Sequence, residues 1–593
     1  MIKLHFLGKL VFILLAVFAL SSFYSCKDDT PDEPVDTPPF PPVDFERGEN
    51  FWWPEQKTAP NLIILKISDD ETDYMLSESL IGLAAKAVNN GKNDELVWYD
   101  VHGPSMDVWS AKIKERLNFA SVKTMTTWEL IEHFKSKEII NGYVLYRFDR
   151  SSGDMYTPRE NIDISANVAT SVAGVLNGVL IDESLEQQAV DAGLTRLFDA
   201  RNVAYKPVYD TLTTGLNPYL IALADPKARN IREYIIANNI YVFDNHKETD
   251  LEYFFSHIEP VSPMLGWGFG DEAEFNRVLS RDGLFSTATN WCHNLSVSSA
   301  GAHTYQPKKV KTLDPKDIDW NKTGYFHSFA MSDGDNMQWL QTTFFHNEEY
   351  WANPNHGQFP FAWTACPVNM SQMLPDVLDY MAETQPDNVT IIEYGGGYQY
   401  PDLFAENRDR EAALRELAKK VNYHMKKTGV KVFGFICQDL NSEASKEAYQ
   451  IYAEEIEDLT GMIAVQYAPY EAGNGKIYWV TNKEGKHIPV VTSKFTIWEN
   501  LDHERVGDPW KIAGLINDEA GKQHPAEDPV ATWTMIHSWS YFEHNGERTR
   551  GLTPVKWCVD ELSTDVQVIS IEEMLWRLRM QYYPDEVNAI IGD

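Results

Sequence analysis

Carboxylates that follow short apolar runs are the residues of this sequence best suited to hydrolytic chemistry. Asp333 and Asp335 lie in the stretch Ser-Asp-Gly-Asp-Asn after one run, Glu393 ends another, and Asp439 and Glu499 follow two more. Cleavage of a glycosidic bond requires one ionised and one protonated carboxyl group, in environments that separate their pKa values. We therefore predict a catalytic pair of Glu393 with Asp333 or Asp335, and substrate contacts from Asp439 and Glu499.

These acids also have structural interpretations. Asp333 and Asp335 are suited to a turn and to the cap of a helix that begins near residue 337, and Asp439 is suited to the cap of the next helix along the chain. Glu393 has fewer such uses, because it lies between four apolar residues and a run of glycines. Burial of an unpaired carboxylate is costly, which favours a functional interpretation of Glu393.

A glycine- and tyrosine-rich segment follows Glu393 directly. This signature segment, residues 395–401, reads Gly-Gly-Gly-Tyr-Gln-Tyr-Pro. It resembles the signature of the GxGYxYP family of glycoside hydrolases, known mainly from gut Bacteroidetes, at every fixed position. The resemblance implies a C-terminal hydrolase domain with further domains ahead of it. We predict that Gly397, Tyr398 and Tyr400 contact a sugar, because glycine permits close approach and tyrosine offers a flat face with a polar rim; the alternative is a structural turn.

Large aromatic residues fall at or near the ends of other apolar runs. Trp363, Trp498 and Trp539 are predicted to stack on sugar faces, and His537 to contact the substrate beside them. Tryptophan is also a large core residue, so packing in the interior is the alternative for each of them.

Alternation of apolar runs with helical segments predicts a C-terminal domain over residues 319–593. Predicted helices span 373–383, 405–428, 442–459 and 572–581, and eight predicted strands span 325–331, 359–365, 389–393, 431–437, 462–467, 488–495, 531–537 and 566–570. Eight β/α units in this length are typical of a (β/α)8 TIM-type barrel, whose catalytic residues lie at the C-terminal ends of the strands. The eighth strand has the weakest pattern, which leaves a seven-stranded barrel open.

The first half shows the same alternation in smaller units. We predict N-terminal α/β domains at 59–150, 151–235 and 236–318. Within the third, the segment 267–272 reads Trp-Gly-Phe-Gly-Asp-Glu and combines glycines and aromatics with two acids. We expect this segment to reach the cleft of the C-terminal domain.

The N-terminus is typical of an exported lipoprotein. Lys3 and Lys9 accompany an apolar run from residue 10 to 20, which predicts a signal peptide over residues 1–25. Ser25-Cys26 is similar to a lipoprotein cleavage site, so we predict lipidation of Cys26, and the following Lys-Asp-Asp resembles the export signal of Bacteroidetes surface lipoproteins. A proline- and acid-rich tether is predicted over residues 26–58. These features predict a lipid-anchored outer-membrane protein exposed at the cell surface; the alternative is an ordinary secreted protein cut near Ser22.

Charge and cysteine content restrict the partners. The formal net charge of −35 disfavours nucleic acid and other polyanions as ligands. Apart from Cys26, the cysteines are widely spaced at positions 292, 366, 437 and 558, without zinc-binding spacing. We predict buried free thiols, with one disulfide as the alternative that an exported protein permits, and neither metal nor cofactor.

Three functions are compatible with these features. The first is a glycoside hydrolase that acts on a poly- or oligosaccharide at the bacterial surface, beside partner proteins of glycan uptake. The second is a metal-dependent carbohydrate deacetylase in which Asp333, Asp335 and His537 hold a divalent cation, although the usual paired histidine motif is absent. The third is a glycan-binding lipoprotein without catalysis.

Overall fold

The computed structural model describes residues 43–592, apart from 67, 156, 247–250, 469, 471–472, 502, 524 and 526–527. The predicted signal peptide, Cys26 and the first part of the predicted tether lie outside the described residues. Within them, no helix has the length and apolar character needed to cross a membrane. The predicted tether cannot extend to residue 58, because Trp52 and Trp53 are each only 1% exposed and belong to the core.

Three parallel sheets, each with helices, form the first half of the chain. The first has the strand order β2-β1-β3, with β1 (Asn61–Leu65), β2 (Glu95–Tyr99), β3 (Ser121–Met125), α1 (Glu71–Asn89), α2 (Pro104–Leu117) and α3 (Thr127–Ser136). The second has the order β5-β4-β6, with β4 (Gly142–Tyr146), β5 (Gly178–Asp182), β6 (Arg196–Asp199), α4 (Ser165–Leu176), α5 (Glu186–Asp191), α6 (Tyr205–Leu212) and the 3-10 turn Thr213–Gly215.

The third sheet has the order β10-β9-β7-β8. It contains β7 (Ile221–Leu223), β8 (Tyr241–Phe243), β9 (Ser262–Gly266), β10 (Leu284–Thr287), α7 (Arg232–Ala237), α8 (Leu251–Ser256), α9 (Glu272–Arg281) and α10 (Leu295–Ser298). These sheets correct two predicted boundaries. A boundary at residue 150 would separate β4 from its partners β5 and β6, and one at 235 would separate β7 from β8. We refer below to residues 218–300, which contain the third sheet, as the third domain.

The second half is dominated by one large curled sheet of eleven strands. Its strands are β11 (Tyr325–Met331), β12 (Phe361–Ala365), β13 (Val389–Tyr394), β14 (Val432–Cys437), β15 (Gly461–Gln466), β16 (Ile477–Thr481), β17 (His487–Thr492), β18 (Phe495–Ile497), β19 (Val506–Gly507), β20 (Ala531–Ile536) and β23 (Val566–Val568), and the hairpin β21 (Phe542–His544) and β22 (Glu547–Thr549) lies apart from it. Its strand pairs are parallel except for the antiparallel pair of β16 with β17. Near-continuous apolar runs such as that of β13 are typical of strands buried on both faces.

Helices connect these strands. They are α11 (Met337–Trp339), α12 (Pro367–Met373), α13 (Pro375–Thr384), α14 (Arg410–Thr428), α15 (Glu443–Glu455), α16 (Pro509–Ala520), α17 (Leu552–Asp560), α18 (Ile571–Tyr582) and α19 (Pro584–Gly592), with a 3-10 turn at Pro315–Asp317 and a π-helical turn at Leu340–Phe344. Their ends follow local chemistry. In α14, the Asp409 side chain accepts a hydrogen bond from the Ala412 N–H, and Gly429 ends the helix with φ of 85°.

The strand order departs from that of a (β/α)8 barrel. β11 pairs with β12 on one side and with β20 on the other, so the edge that an eighth strand would need is already occupied. The predicted eighth strand, β23, instead pairs with the first residues of β11. β17 pairs with β15, and β18, only two residues further on, pairs with β20. The protein is a mixed α/β protein, and the eightfold TIM-type barrel is not confirmed.

The remaining cysteines are buried free thiols, as predicted, at positions 292, 366, 437 and 558.

Candidate active site

A cleft of about 580 Å³ lies where the third domain meets the C-terminal ends of the large sheet's strands. From the third domain it receives the segments after β9 and β10. From the large sheet it receives residues at or after the ends of β11, β13, β14, β15, β18 and β20. The carboxyl ends of parallel strands are the usual place for ligand sites in α/β folds. The predicted convergence of strand-end residues is therefore present, and the segment 267–272 does reach the cleft.

Asp333 and Asp335 enter the cleft from the loop after β11. Gly334 between them donates its N–H to the Thr364 Oγ1 at 2.9 Å, and a Cβ at position 334 would lie 1.8 Å from the Thr364 carbonyl oxygen. Only glycine fits this close approach, which fixes the loop against β12. The helix that follows is capped by Asn336, whose side chain accepts from the Trp339 N–H. Neither acid is therefore used as the helix cap, and both line the cleft.

Asp333 has φ of 68°, in the left-handed region that few residues other than glycine adopt. Its carboxylate accepts a hydrogen bond from the Trp539 indole N–H at 2.9 Å and another from the Ser332 hydroxyl. Backbone conformation and hydrogen bonds together hold this carboxylate in one orientation. No side-chain partner of the Asp335 carboxylate occurs among the residues that the structure describes.

Two more acids reach the cleft from the start of α9. Asp271 caps this helix by accepting from the Ala273 N–H, and it also accepts from the Tyr467 hydroxyl at 3.1 Å. Glu272 accepts from the Tyr398 hydroxyl at 3.0 Å. The third domain thus supplies half of the four acids among the described residues that line the cleft.

The environment separates the proton affinities of these groups. Burial, followed by the charges of Asp333 and Glu272, raises the pKa of Asp335 to about 8. Burial and the charge of Asp333 raise the pKa of Glu272 to about 7, against the opposing hydrogen bond from Tyr398. Burial lowers the pKa of His537, although Asp333 and Glu499 oppose the shift. A pKa of about 8 leaves Asp335 mostly protonated at neutral pH.

Aromatic faces form the walls of the cleft. The rings of Trp498 and His537 stack at 3.6 Å with 4° between their planes, and Tyr470 lies 4.4 Å from Trp498. On the third-domain side, Trp267 stacks over Tyr398 at 6.0 Å and 13°. Such flat apolar faces with polar rims match the faces of sugar rings.

Three family models match this chain. The model described as "GxGYxYP putative glycoside hydrolase C-terminal domain" matches residues 325–579, the "GxGYxYP third domain" matches 218–300 and the "GxGYxYP_N second domain" matches 140–216. The chain belongs to the GxGYxYP family. No curated protein matches it.

A solved structure shares the fold. It is described as "a putative hydrolase from Bacteroides thetaiotaomicron VPI-5482", with 22% identity, a TM-score of 0.73, and coverage of 92% of this chain and 99% of that one. A domain of unknown function from Bordetella bronchiseptica, with bound citrate in its crystal, has 12% identity over 73% of this chain and 94% of its own, but its TM-score is only 0.12.

The GxGYxYP signature segment contributes one side chain to the cleft and uses the others for docking. Tyr398 lines the cleft, and Tyr400 is fully buried behind it with 3.1 Å between the two hydroxyl oxygens. Gly397 does not line the cleft. It has φ of 137°, and a Cβ there would lie 2.2 Å from the Phe285 ring. The predicted sugar contacts of Gly397 and Tyr400 are therefore replaced by contacts with the third domain and with Tyr398.

Glu393 lies outside the cleft. Its carboxyl group is fully buried and accepts from the N–H of Val368, in the first turn of α12, at 2.8 Å and from the Gly396 N–H at 3.2 Å. Burial raises its pKa to about 8 against these two hydrogen bonds. The expectation that Glu393 has few capping uses is therefore wrong, and the structure gives it the role of bracing α12 and the signature segment.

Three other predicted contacts also lie away from the cleft. Trp363 is 1% exposed and packs in an aromatic cluster with Phe344. Asp439 is exposed and accepts from the Asn441 N–H, while Ser442 caps the next helix. Glu499 accepts from the Tyr541 N–H at 2.9 Å. These side chains stabilise the core or the loops rather than facing a ligand.

Some residues of the cleft were not predicted from the sequence. Tyr394, Tyr467, Tyr470 and Trp291 line the cleft without having been predicted. For Tyr394 a signal was present, because successive side chains of a strand point to opposite faces. Since the Glu393 side chain turns away from the cleft, its neighbour Tyr394 must turn towards it.

The metal-dependent alternative lacks a ligand set in the described part of the chain. There, no group of three or more His, Cys, Asp or Glu side chains has an arrangement that could hold a metal ion. The stack of His537 on Trp498 and its hydrogen-bond contact with the Ser540 hydroxyl at 2.8 Å give the imidazole a different use.

Proposed function

We propose that this protein hydrolyses a glycosidic bond of a poly- or oligosaccharide bound in the cleft. The observation that carries the proposal is the proton-donating Asp335 next to the charge of Asp333, between aromatic walls. Membership of a family described as a glycoside hydrolase family supports the same reaction class, as does the hydrolase description of the protein that shares the fold.

In this proposal, Asp335 is the general acid and Asp333 the ionised carboxylate. Asp335 transfers its proton to the glycosidic oxygen as the bond from the anomeric carbon to that oxygen breaks. Asp333 attacks the anomeric carbon or takes a proton from the attacking water, and the hydrogen bond from Trp539 holds it in place. Glu393 of the predicted pair has no catalytic role in this proposal, because its carboxyl group accepts hydrogen bonds from two backbone N–H groups.

The charge of the cleft favours a neutral glycan. Asp271, Glu272, Asp333 and Asp335 line it, and none of the described lining residues is lysine or arginine. A uronate or sulfate group would meet like charges there, and such contacts reduce affinity. Trp498 and Trp267 offer neutral sugars the stacking surface that they need.

Glycan binding without catalysis would use the same aromatic walls. It does not require a carboxyl group whose pKa is raised by burial and by two neighbouring acids, since such shifts are typical of catalytic groups. We therefore rank binding alone below hydrolysis.

We also propose that the protein is a surface lipoprotein of the outer membrane, anchored through a lipid on Cys26 and associated with partner proteins of glycan uptake. The basis is the sequence of the first 30 residues. If so, Cys26→Ala releases the protein from the membrane fraction, and external protease degrades the wild-type protein on intact cells.

A single assay tests the reaction class. The ectodomain, residues 28–593, is incubated with a pool of plant, host and microbial glycans, and new reducing ends and free acetate are measured together. New reducing ends are expected, whereas acetate alone would indicate deacetylation instead.

A further inference from the structure

The middle of the signature segment, from Gly397 to Tyr400, is docked on the third domain. Ser286 of β10 and Tyr398 exchange two backbone hydrogen bonds of 2.9 Å each. The Tyr400 N–H donates to the Ser280 hydroxyl at 3.1 Å, and Gly397 is pressed against Phe285. The segment therefore forms the joint between the third domain and the large sheet.

The same joint carries a chain of hydroxyl groups to Glu272. A tyrosine hydroxyl has one proton, so when Tyr398 donates to Glu272, its oxygen is free to accept from Tyr400. Tyr400 is fully buried and cannot reach a ligand itself. Its hydroxyl thus acts on the cleft only through Tyr398.

We propose that Tyr398, backed by Tyr400, is a positioning residue that holds Glu272 of the third domain in the cleft as an ionised carboxylate, and that this carboxylate keeps the proton on Asp335. The cleft is then complete only when the third domain is docked on the signature segment. The catalytic consequence of this proposal rests on the proposed glycoside hydrolysis; the hold of Tyr398 on Glu272 does not.

Several titratable groups face Glu272. Asp271 belongs to its own helix, Asp333 and Asp335 lie on the loop after β11, and Tyr467 and Tyr470 lie beyond the end of β15. Burial and the charges of Asp333 and Asp271 oppose ionisation of Glu272, and the Tyr398 hydroxyl is the direct hydrogen-bond donor that favours it. Loss of this donor therefore raises the pH at which Glu272 ionises.

The test compares Tyr398→Phe, Tyr400→Phe and Glu272→Gln with the wild-type ectodomain over a pH series. In Tyr398→Phe, the alkaline limb of kcat/KM is expected to move down by up to about one pH unit, because Glu272 loses a hydrogen bond that favours its charged form and then holds the proton on Asp335 less strongly. Tyr400→Phe keeps the donor to Glu272 and is expected to give a smaller shift in the same direction. In Glu272→Gln, the alkaline limb is expected to move down, since Asp335 loses a neighbouring charge.

A second readout does not require turnover. Ionisation of Glu272 costs stability as the pH rises from about 4.5 to about 7, because its pKa is higher in the folded protein than in the unfolded chain. The melting temperature of Tyr398→Phe is expected to continue falling to higher pH than that of the wild type, and Glu272→Gln is expected to lack this fall.

The outcomes separate this proposal from the proposed function. A shifted melting profile without turnover of any glycan would support the hold of Tyr398 on Glu272 and contradict hydrolysis. A Tyr398→Phe variant with lower kcat but unmoved limbs and an unmoved melting profile would overturn the proposal, because a purely structural role gives that result.

Discussion

The Tyr398 hydroxyl donates a 3.0 Å hydrogen bond to the Glu272 carboxylate, although 126 positions separate the two residues. Tyr398 belongs to the signature segment and Glu272 to the third domain. The family's most recognisable residues therefore lie at a domain joint as well as in the cleft.

The joint depends on a position that accepts only glycine. Gly397→Ala is expected to destabilise the protein by about 2 kcal/mol or more, because the new Cβ would lie 2.2 Å from Phe285 at φ of 137°. The measurement is urea unfolding. The matched control is Gly514→Ala in α16, where nothing lies within 4 Å of the new Cβ. It is expected to be neutral or stabilising by up to about 1 kcal/mol. Equal stabilities for both variants would contradict the docking role of Gly397.

Glu393 is expected to affect stability rather than chemistry. Glu393→Gln leaves one amide oxygen for two backbone N–H donors, those of Val368 and Gly396. The amide NH2 group then faces one of these donors, which loses its acceptor. A cost of about 1–3 kcal/mol follows from an unsatisfied buried donor. Thermal unfolding measures this cost, and kcat of the folded variant is expected to remain within about threefold of the wild type. A loss of turnover with unchanged stability would indicate instead that Glu393 is a catalytic residue.

Two tryptophans with similar sequence settings are expected to respond differently. Trp498→Ala removes a cleft wall and the partner of His537, so glycan affinity is expected to fall about tenfold. Trp363→Ala opens a cavity in the core and is expected to cost about 3–5 kcal/mol of stability instead. Calorimetric titration with a bound oligosaccharide and denaturant unfolding separate the effects. Equal affinity losses in two folded variants would contradict the assignment.

The raised pKa of Asp335 has a consequence for stability. A carboxyl group whose pKa is higher in the folded protein than in the unfolded chain destabilises the fold when it ionises. The free-energy cost of ionising Asp335 therefore grows as the pH rises from about 4 to about 8. Asp335→Asn removes this free-energy cost. The variant is expected to be about 2 kcal/mol more stable than the wild type at pH 8.5, after allowance for the partial exposure of the group, and similar at pH 4. Equal unfolding free energies at pH 8.5 would contradict the shift.

Much of the fold could be predicted from periodicity. The eight predicted strands of the second half each correspond to an observed strand, because buried parallel strands read as short apolar runs. The strand order could not be predicted in this way. The pairing of β20 with β11 and the placement of β23 depend on contacts between distant parts of the chain.

The site was predictable only where a loop's position followed from its strand. Asp333, Asp335, His537 and Trp539 lie in the cleft because they follow β11 and β20 directly. Glu393 does not, because the direction of a side chain at a strand end is decided by its neighbours, here the first turn of α12.

One comparison of reducing-end release tests whether Asp335 is the general acid. Wild type, Asp335→Asn and Glu393→Gln ectodomains are assayed on a glycan that the wild type cleaves. We predict that Asp335→Asn loses about 1,000-fold or more in kcat, as removal of a general acid does, while Glu393→Gln retains a rate close to that of the wild type. A rate for Asp335→Asn equal to that of the wild type would show that Asp335 is not the general acid.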